Sequence, residues 1–251
     1  MDLVLSSGFL AFARHCGFLR AVEESGVEVE GLCGTSSGAL VAAMWAAGIP
    51  AEEIAEKLSS RRPLSLLRPT LTPWRGLFSL RALVSLVHNW LPPTFAELGH
   101  PLAVGVMSAD GRGMLLSEGR LAEAVAASCA VPYLFMPVEV DGVPYRDGGA
   151  VDRLALEPWR TLRGGRRQLI HLVARSAGAE TSLPGDVPLV QTPRSGASFW
   201  SLGDFHGQLE EARRSTCAVL DGLETVGSLQ PGTGLSSGTG SSSLSPTTTS
   251  S

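Results

Sequence analysis

The sequence predicts an α/β fold in which helices cover the faces of a mostly parallel sheet. Residues 3–47 alternate strand-like and helix-like segments in the order strand, helix, strand, helix. Short connections through a helix join parallel strands in a right-handed sense. Further along, residues 102–107 form a continuous apolar run, which is typical of a strand buried on both faces.

The individual elements follow from periodicity and from helix and turn signals. Residues 3–5 are predicted as the first strand, 13–25 as a helix that ends at Gly26, and 27–33 as an alternating strand. A helix over 37–47 ends at Gly48. The later predicted elements are a helix at 50–58, an amphipathic stretch at 79–90, strands at 102–107 and 114–116, a helix at 121–129, a hairpin of 138–140 with 143–145 around Asp141-Gly142, a short helix around Trp159, a final strand at 168–174 and a last helix at 209–223.

Length and composition predict one globular domain and a tail. The chain has 251 residues, of which 44% are apolar and 18% charged. We expect the domain to span 1–227. Residues 228–251 are almost all Gly, Ser, Thr and Pro, a composition that predicts disorder. The net charge of −4 offers no basic field, so no nucleic-acid partner is expected.

The cysteines and the amino terminus bear on the cellular compartment of the protein. The four cysteines are scattered without metal-ligand spacing, which predicts free thiols in a reducing compartment and no metal site. The amino terminus lacks a basic region before its short apolar run, so we interpret it as a strand and not as a signal peptide. Together with the lack of a transmembrane run, these features predict a cytoplasmic protein without a cofactor.

Residues 57–96 contain no acidic side chain but carry six cations among leucines and aromatic residues. One interpretation is an insertion that packs on the domain with its arginines in water. The other is a lid, or a patch for peripheral contact with an anionic membrane.

The organising motif is Gly34-Thr35-Ser36-Ser37-Gly38, a G-x-S-x-G pattern between a predicted strand and a predicted helix. Glycine at 34 and 38 removes the Cβ atoms that would clash where the strand and helix approach each other. Ser36 is thereby predicted at the apex of the turn, at the amino terminus of the helix. There the helix dipole favours a developing negative charge.

A nucleophilic serine requires a base, and the sequence offers two kinds. His171 and His206 follow the motif, but neither lies in a glycine-rich loop after a strand. Asp147, by contrast, lies at the end of a hairpin strand and precedes Gly148-Gly149, which permits close approach of another backbone. Burial in a dry cleft would raise the pKa of such a carboxyl and make it a better base.

These motifs resemble the patatin-like phospholipases. The resemblance runs from residue 3 to about 156 and comprises the loop before the first helix, Gly34-Thr35-Ser36-Ser37-Gly38, Ala127-Ser128-Cys129-Ala130-Val131-Pro132 and Asp147-Gly148-Gly149. It implies a three-layer α/β/α sandwich and hydrolysis of lipid acyl esters. It further implies a catalytic dyad of Ser36 and Asp147 without a histidine.

The sequence departs from the family pattern at two places. The family's glycine-rich loop corresponds here to residues 7–12, where Gly8 is retained, Phe9 replaces a glycine and Ala11 stands at the basic position. We therefore expect an oxyanion hole made only of the backbone amides of Gly8 and Phe9. Asp152-Arg153 stands where a polar amide often follows, and we expect it to alter local packing only.

The sequence thus predicts a serine acyl hydrolase whose substrate is a lipid or another fatty-acyl ester. Two alternatives stay open. A Ser–His–Asp esterase or peptidase would need His171 or His206 beside Ser36. A catalytically weak or inactive relative would instead bind acyl chains or a protein partner.

Overall fold

The computed structural model describes residues 1–175, 183, 185 and 187–228. The predicted tail, 228–251, lies outside the described residues except for Ser228, where the last helix ends. Within the described part of the chain, no helix combines the length and the apolar character needed to cross a bilayer.

An eight-stranded mixed sheet forms the centre of the fold, and its strands lie in the order β10-β9-β1-β2-β5-β8-β7, with β6 also paired to β5. The five strands from β10 to β5 run parallel, whereas β6, β7 and β8 pair antiparallel. A separate pair, β3 with β4, forms a small hairpin. The strands are β1 (Asp2–Leu5), β2 (Gly31–Thr35), β3 (Arg68–Pro69), β4 (Phe78–Ser79), β5 (Leu102–Met107), β6 (Gly113–Leu116), β7 (Val138–Val140), β8 (Val143–Asp147), β9 (Gln168–Val173) and β10 (Leu189–Thr192).

Helices cover both faces of this sheet. They are α1 (Phe12–Ser25), α2 (Ser37–Ala46), α3 (Ala51–Ser59), α4 (Arg81–His88), α5 (Leu121–Ser128), α6 (Leu156–Arg163) and α7 (Phe205–Ser228). Leu3, Leu5 and Leu32 point into the larger core with most of the helices. On the other face, Val4 and Cys33 pack with Trp159 of α6. This alternation along β1 and β2 produces the predicted three-layer α/β/α sandwich.

Two strand predictions differ from the structure. The alternation at 27–33 was predicted as a strand, but β2 is Gly31–Thr35 and is buried throughout. A central strand that is covered on both faces does not alternate apolar and polar residues. The alternating residues 27–30 therefore belong to the connection that leads into β2. The strand predicted as the last, at 168–174, is followed by β10, which pairs parallel to β9 at the sheet edge.

Residues 57–96 pack against the domain through one face of α4, where Leu83 and Val87 are buried in the core. The turn between β3 and β4 exposes its apolar side chains: Leu71 is 98% and Trp74 80% exposed. Arg61, Arg62, Arg68, Arg75 and Arg81 are all exposed, and no acidic side chain among the described residues pairs with them.

Candidate active site

Ser36 occupies the sharp turn between β2 and α2. Its backbone has φ 55° and ψ −120°, a conformation that costs free energy for any residue with a Cβ. The surroundings hold it there: the Ser36 N–H donates to Ser128 Oγ at 2.8 Å, and Ser128 Oγ donates to the Gly105 carbonyl at 2.6 Å. The turn is therefore fixed from β5 and from the end of α5.

The two glycines of the motif are required by close backbone contacts. A Cβ on Gly34 would lie 2.6 Å from the Gly38 carbonyl oxygen, and one on Gly38 would lie 2.6 Å from the Leu5 carbonyl oxygen. Both contacts are with backbone, which cannot rotate away. The close approach of α2 to β1 and β2 that presents Ser36 thus depends on glycine at both positions.

Asp147 ends β8 and lies beside Ser36. Its N–H donates to the Ala130 carbonyl at 3.0 Å, and its carboxylate accepts from the Gly149 N–H at 2.8 Å. The residue is only 5% exposed, and burial raises the pKa of its carboxyl to about 6. Hydrogen bonds from the Ser36 side chain and the Gly149 N–H oppose this rise in pKa.

The loop after β1 faces the same space. Gly8 and Phe9 line one cavity together with Ser36 and Asp147. The Gly8 carbonyl accepts from Ser37 Oγ at 2.7 Å, whereas the N–H groups of Gly8 and Phe9 have no hydrogen-bond acceptor among the described residues. Phe9 has an ordinary negative φ, and the positive φ of this loop falls on Leu10. Two backbone donors are thus available at the cavity wall.

Histidines lie away from this space. None of the five lines the cavity that contains Ser36. His171 is fully buried in β9, with Nδ1 at 2.9 Å from His15 Nδ1 and Nε2 at 3.1 Å from Thr192 Oγ1. Burial keeps the pKa of His171 well below its usual range, so the ring is neutral. His206 is exposed on α7. The structure brings neither histidine to the serine.

Cys129 places a thiol, which is a second type of nucleophile, near Ser36. Its thiol donates to the Ser36 carbonyl at 3.3 Å. Desolvation raises the pKa of this thiol far above its usual range, so it stays protonated. A protonated thiol is a poor nucleophile, and the hydroxyl of Ser36 has no thiolate competitor at this position.

The cavity beside Ser36 has a volume of about 410 Å³ and is mainly apolar. Much of its wall comes from the segment 57–96, which contributes Leu58, Leu66, Leu67, Leu80, Leu83, Leu86 and Trp90. It lies at the carboxyl ends of β1, β2 and β9, where open α/β sheets commonly bind ligands. A volume of this size accommodates an organic ligand with a long apolar part.

A model of the patatin-like phospholipase family matches residues 3–158. The chain belongs to this family. Uncharacterized NTE family proteins of Mycobacterium bovis and of two Mycobacterium tuberculosis strains are each 32% identical to it over 161 residues. Each alignment covers 62% of this chain but only 44% of the relative, so the chain spans less than half the length of these curated proteins.

Solved structures share the fold of this patatin-like protein at low sequence identity. VipD from Legionella pneumophila superposes with a TM-score of 0.57 at 14% identity, over 88% of this chain and 66% of VipD. The type III effector ExoU, from Pseudomonas aeruginosa, gives a TM-score of 0.54 at 16% identity, over 89% of this chain and 53% of ExoU. At such identity the likeness establishes the fold alone.

The sequence prediction missed three parts of this site. The motif at 127–132 did not predict a role for Ser128, although its hydroxyl holds the Ser36 turn. The apolar cavity wall was not predicted from residues 57–96. The expectation that Arg153 affects only local packing was also incomplete, because its guanidinium binds the loop that contains Gly8. No sequence signal indicated this contact, because Arg153 lies 146 residues from Ser7 in the chain.

Proposed function

We propose that this patatin-like protein is a serine acyl hydrolase that cleaves fatty-acyl esters with Ser36 as nucleophile and Asp147 as base. One observation carries the proposal: the Ser36 hydroxyl and the Asp147 carboxylate meet at the wall of an apolar cavity. A carboxyl with a pKa of about 6 is mostly ionised at neutral pH, yet it is more basic than a solvated aspartate.

The reaction proceeds in two half-reactions. Ser36 Oγ attacks the ester carbonyl carbon while its proton moves to Asp147. The leaving alcohol takes that proton as the ester bond breaks, and an acyl-enzyme remains. Water then attacks the acyl carbon and gives a proton to Asp147. That proton returns to Ser36 Oγ as the fatty acid leaves, which restores both residues.

Both tetrahedral intermediates place negative charge on the former carbonyl oxygen. The N–H groups of Gly8 and Phe9 are the donors proposed for this oxygen, because both line the cavity and lack another acceptor among the described residues. The amino terminus of α2 adds a favourable dipole at the same position. The donors in this proposal are backbone groups alone.

The cavity and its surroundings support a lipid substrate. Its leucine-rich wall suits an acyl chain, and the segment that forms this wall also carries five exposed arginines and the exposed Leu71 and Trp74. Such a mixture favours peripheral contact of residues 57–96 with an anionic membrane. A cytoplasmic protein with this surface would take its substrate from the membrane face.

Covalent labelling tests the proposal directly. The full chain is treated with a fluorophosphonate that carries an alkyl chain, and the modified peptide is mapped by mass spectrometry. We expect a single adduct on Ser36, its loss in Ser36→Ala, and parallel hydrolysis of a p-nitrophenyl acyl ester. A folded wild-type chain without adduct or turnover would contradict the enzyme and favour a protein that only binds acyl chains or a partner.

A further inference from the structure

The side chain of Arg153 extends from the segment after Asp147 to the loop after β1. It is 5% exposed, and its Nη2 donates to the Ser7 carbonyl at 2.8 Å and also to the Val173 carbonyl. Its Nε lies 3.4 Å from Ser7 Oγ. In return, the Ser7 N–H donates to the Arg153 carbonyl at 2.8 Å. Ser7 is therefore bound on both sides by one residue.

Fixing the Ser7 carbonyl also fixes the N–H of Gly8. The two groups belong to one planar, trans peptide unit, so they point in opposite directions. When the carbonyl is bound by the guanidinium, the Gly8 N–H must point away from Arg153. The next peptide unit is held in the same way, because Ser37 Oγ donates to the Gly8 carbonyl at 2.7 Å. Two consecutive peptides of the loop are thus oriented by side chains.

The charge of Arg153 adds to this geometry. A buried cation that donates to a carbonyl draws electron density through the peptide and strengthens the N–H as a donor. Basic residues nearer in sequence to the loop do not perform this role. Arg14, on α1, directs its guanidinium to Glu211 at 2.6 Å and to the Gln208 carbonyl. Position 11, where the family pattern has a basic residue, is a fully buried alanine.

We propose that Arg153 is a positioning residue that orients the Ser7–Gly8 peptide for transition-state stabilisation. It acts through the backbone of the loop. This inference rests on the proposed hydrolase and deepens it: the guanidinium that holds the loop comes from the segment after Asp147.

The test compares Arg153→Gln and Arg153→Lys with a matched control, Arg163→Gln. Arg163 is less deeply buried, but it also donates to a backbone carbonyl, that of Glu30, and it pairs with Asp2 at the other end of the sheet. We expect Arg153→Gln to lower kcat about fiftyfold on a p-nitrophenyl acyl ester with KM changed less than about threefold, because the oxygen carries its charge only in the transition state. Arg153→Lys keeps the charge and should lose about tenfold.

Thermal unfolding of every variant separates positioning from stability, because Arg163→Gln should lower the unfolding temperature without lowering kcat. The proposal is overturned if Arg153→Gln and Arg153→Lys, both folded, keep the wild-type kcat, or if they raise KM alone. Either result leaves the hydrolase itself intact.

A measurement that does not depend on turnover distinguishes failure of the Arg153 proposal from failure of the proposed hydrolase. In ¹⁵N-glycine-labelled protein, the Gly8 amide resonance should shift in Arg153→Gln by more than in Arg163→Gln. If the wild-type chain neither labels at Ser36 nor hydrolyses the ester, the proposed function fails, and this resonance still decides whether Arg153 orients the peptide. An unmoved Gly8 resonance refutes the orientation.

Discussion

The backbone N–H of Ser36, in the turn after β2, donates a 2.8 Å hydrogen bond to Ser128 Oγ at the end of α5. The Ser128 hydroxyl in turn donates a hydrogen bond to the Gly105 carbonyl of β5. Asp147 pairs with the neighbouring Val106 of the same strand. Ser36 and Asp147 are thus both held by contacts with β5. The sheet, and not loop conformation, therefore sets the distance between the nucleophile and its proposed base.

Removing either member of the dyad should abolish hydrolysis. We expect Ser36→Ala and Asp147→Asn each to reduce kcat/KM about a thousandfold or more on a p-nitrophenyl acyl ester, because one forms the acyl-enzyme and the other accepts its proton. Ser108→Ala and Asp110→Asn, in the exposed turn after β5, are matched controls that should keep full activity. Substantial turnover by a folded Asp147→Asn variant would exclude Asp147 as the base.

The rate should depend on the ionisation of Asp147. With a pKa of about 6, this carboxyl is protonated and inactive as a base below that pH. We expect kcat/KM to rise about tenfold per pH unit below pH 6 and to level off above it. The measurement is a pH–rate profile of the free enzyme on an ester without ionisable groups. A profile that is flat from about pH 4.5 to 8 would show that another group limits the rate.

The same carboxyl should make the protein less stable as the pH rises. Its folded pKa lies about two units above the unfolded value, so the folded state holds the proton more tightly. This stabilisation is complete below about pH 4 and is lost as the pH rises through about 6, which amounts to about 3 kcal/mol.

Asp147→Asn removes this dependence. The unfolding temperature of the variant, minus that of wild type, should therefore increase between pH 4 and pH 7. The control Asp110→Asn should show no such increase, because hydrogen bonding from Ser108 lowers the pKa of the exposed Asp110 carboxyl. A difference that is constant with pH would mean that burial does not raise the pKa of Asp147.

Local signals predicted the Ser36 turn, because strand, glycines and helix follow one another within a few residues. Elements that depend on partners distant in the chain were harder to predict from the sequence. β10 has four residues, and only its pairing with β9 at the sheet edge gives it a strand conformation. The contacts of Arg153 join positions 153, 7 and 173, and nothing in the spacing of these residues indicates that they meet.

Segment 57–96 shows the same limit of prediction from sequence. Its composition indicated a surface for membranes, and the exposed arginines agree with that hypothesis. The leucines between them were expected to pack or to face lipid, but several line the cavity of Ser36. Whether an apolar side chain faces a core, a membrane or a cavity depends on tertiary packing, which periodicity alone does not contain.

Membrane contact through this segment should be electrostatic and apolar together. We expect co-sedimentation with vesicles that contain phosphatidylglycerol, weaker binding at high salt, and a loss of about tenfold or more in affinity when Arg61, Arg62 and Arg68 become Gln. Trp74→Ala should weaken binding by removing an exposed ring from the tip of the hairpin.

A charge-matched control decides whether the location of these arginines matters. Arg112, Arg120 and Arg166 are exposed arginines outside the segment, and their joint replacement by Gln changes the net charge equally. We expect that variant to bind vesicles nearly as well as wild type. Equal losses in both triple variants would indicate a general charge effect and leave the segment as an ordinary packed insertion.

Replacing the histidines tests the remaining alternative mechanism. We expect each of the five single replacements to keep kcat within about tenfold, because no histidine lines the cavity of Ser36. His171→Asn should instead lower stability by about 1–3 kcal/mol, since it removes the contacts of a buried ring with His15 and Thr192. His206→Gln, on the exposed side of α7, should change neither stability nor rate and serves as the control.

The two measurements must be read together, because a destabilised variant can lose activity through unfolding alone. Assays of His171→Asn are therefore made well below its unfolding temperature, with kcat expressed per mole of folded chain. A folded His171 or His206 variant whose kcat falls by a factor of about a thousand would identify a histidine base and replace the dyad of Ser36 and Asp147. A normal kcat beside a lowered unfolding temperature would assign His171 to the core of the sandwich.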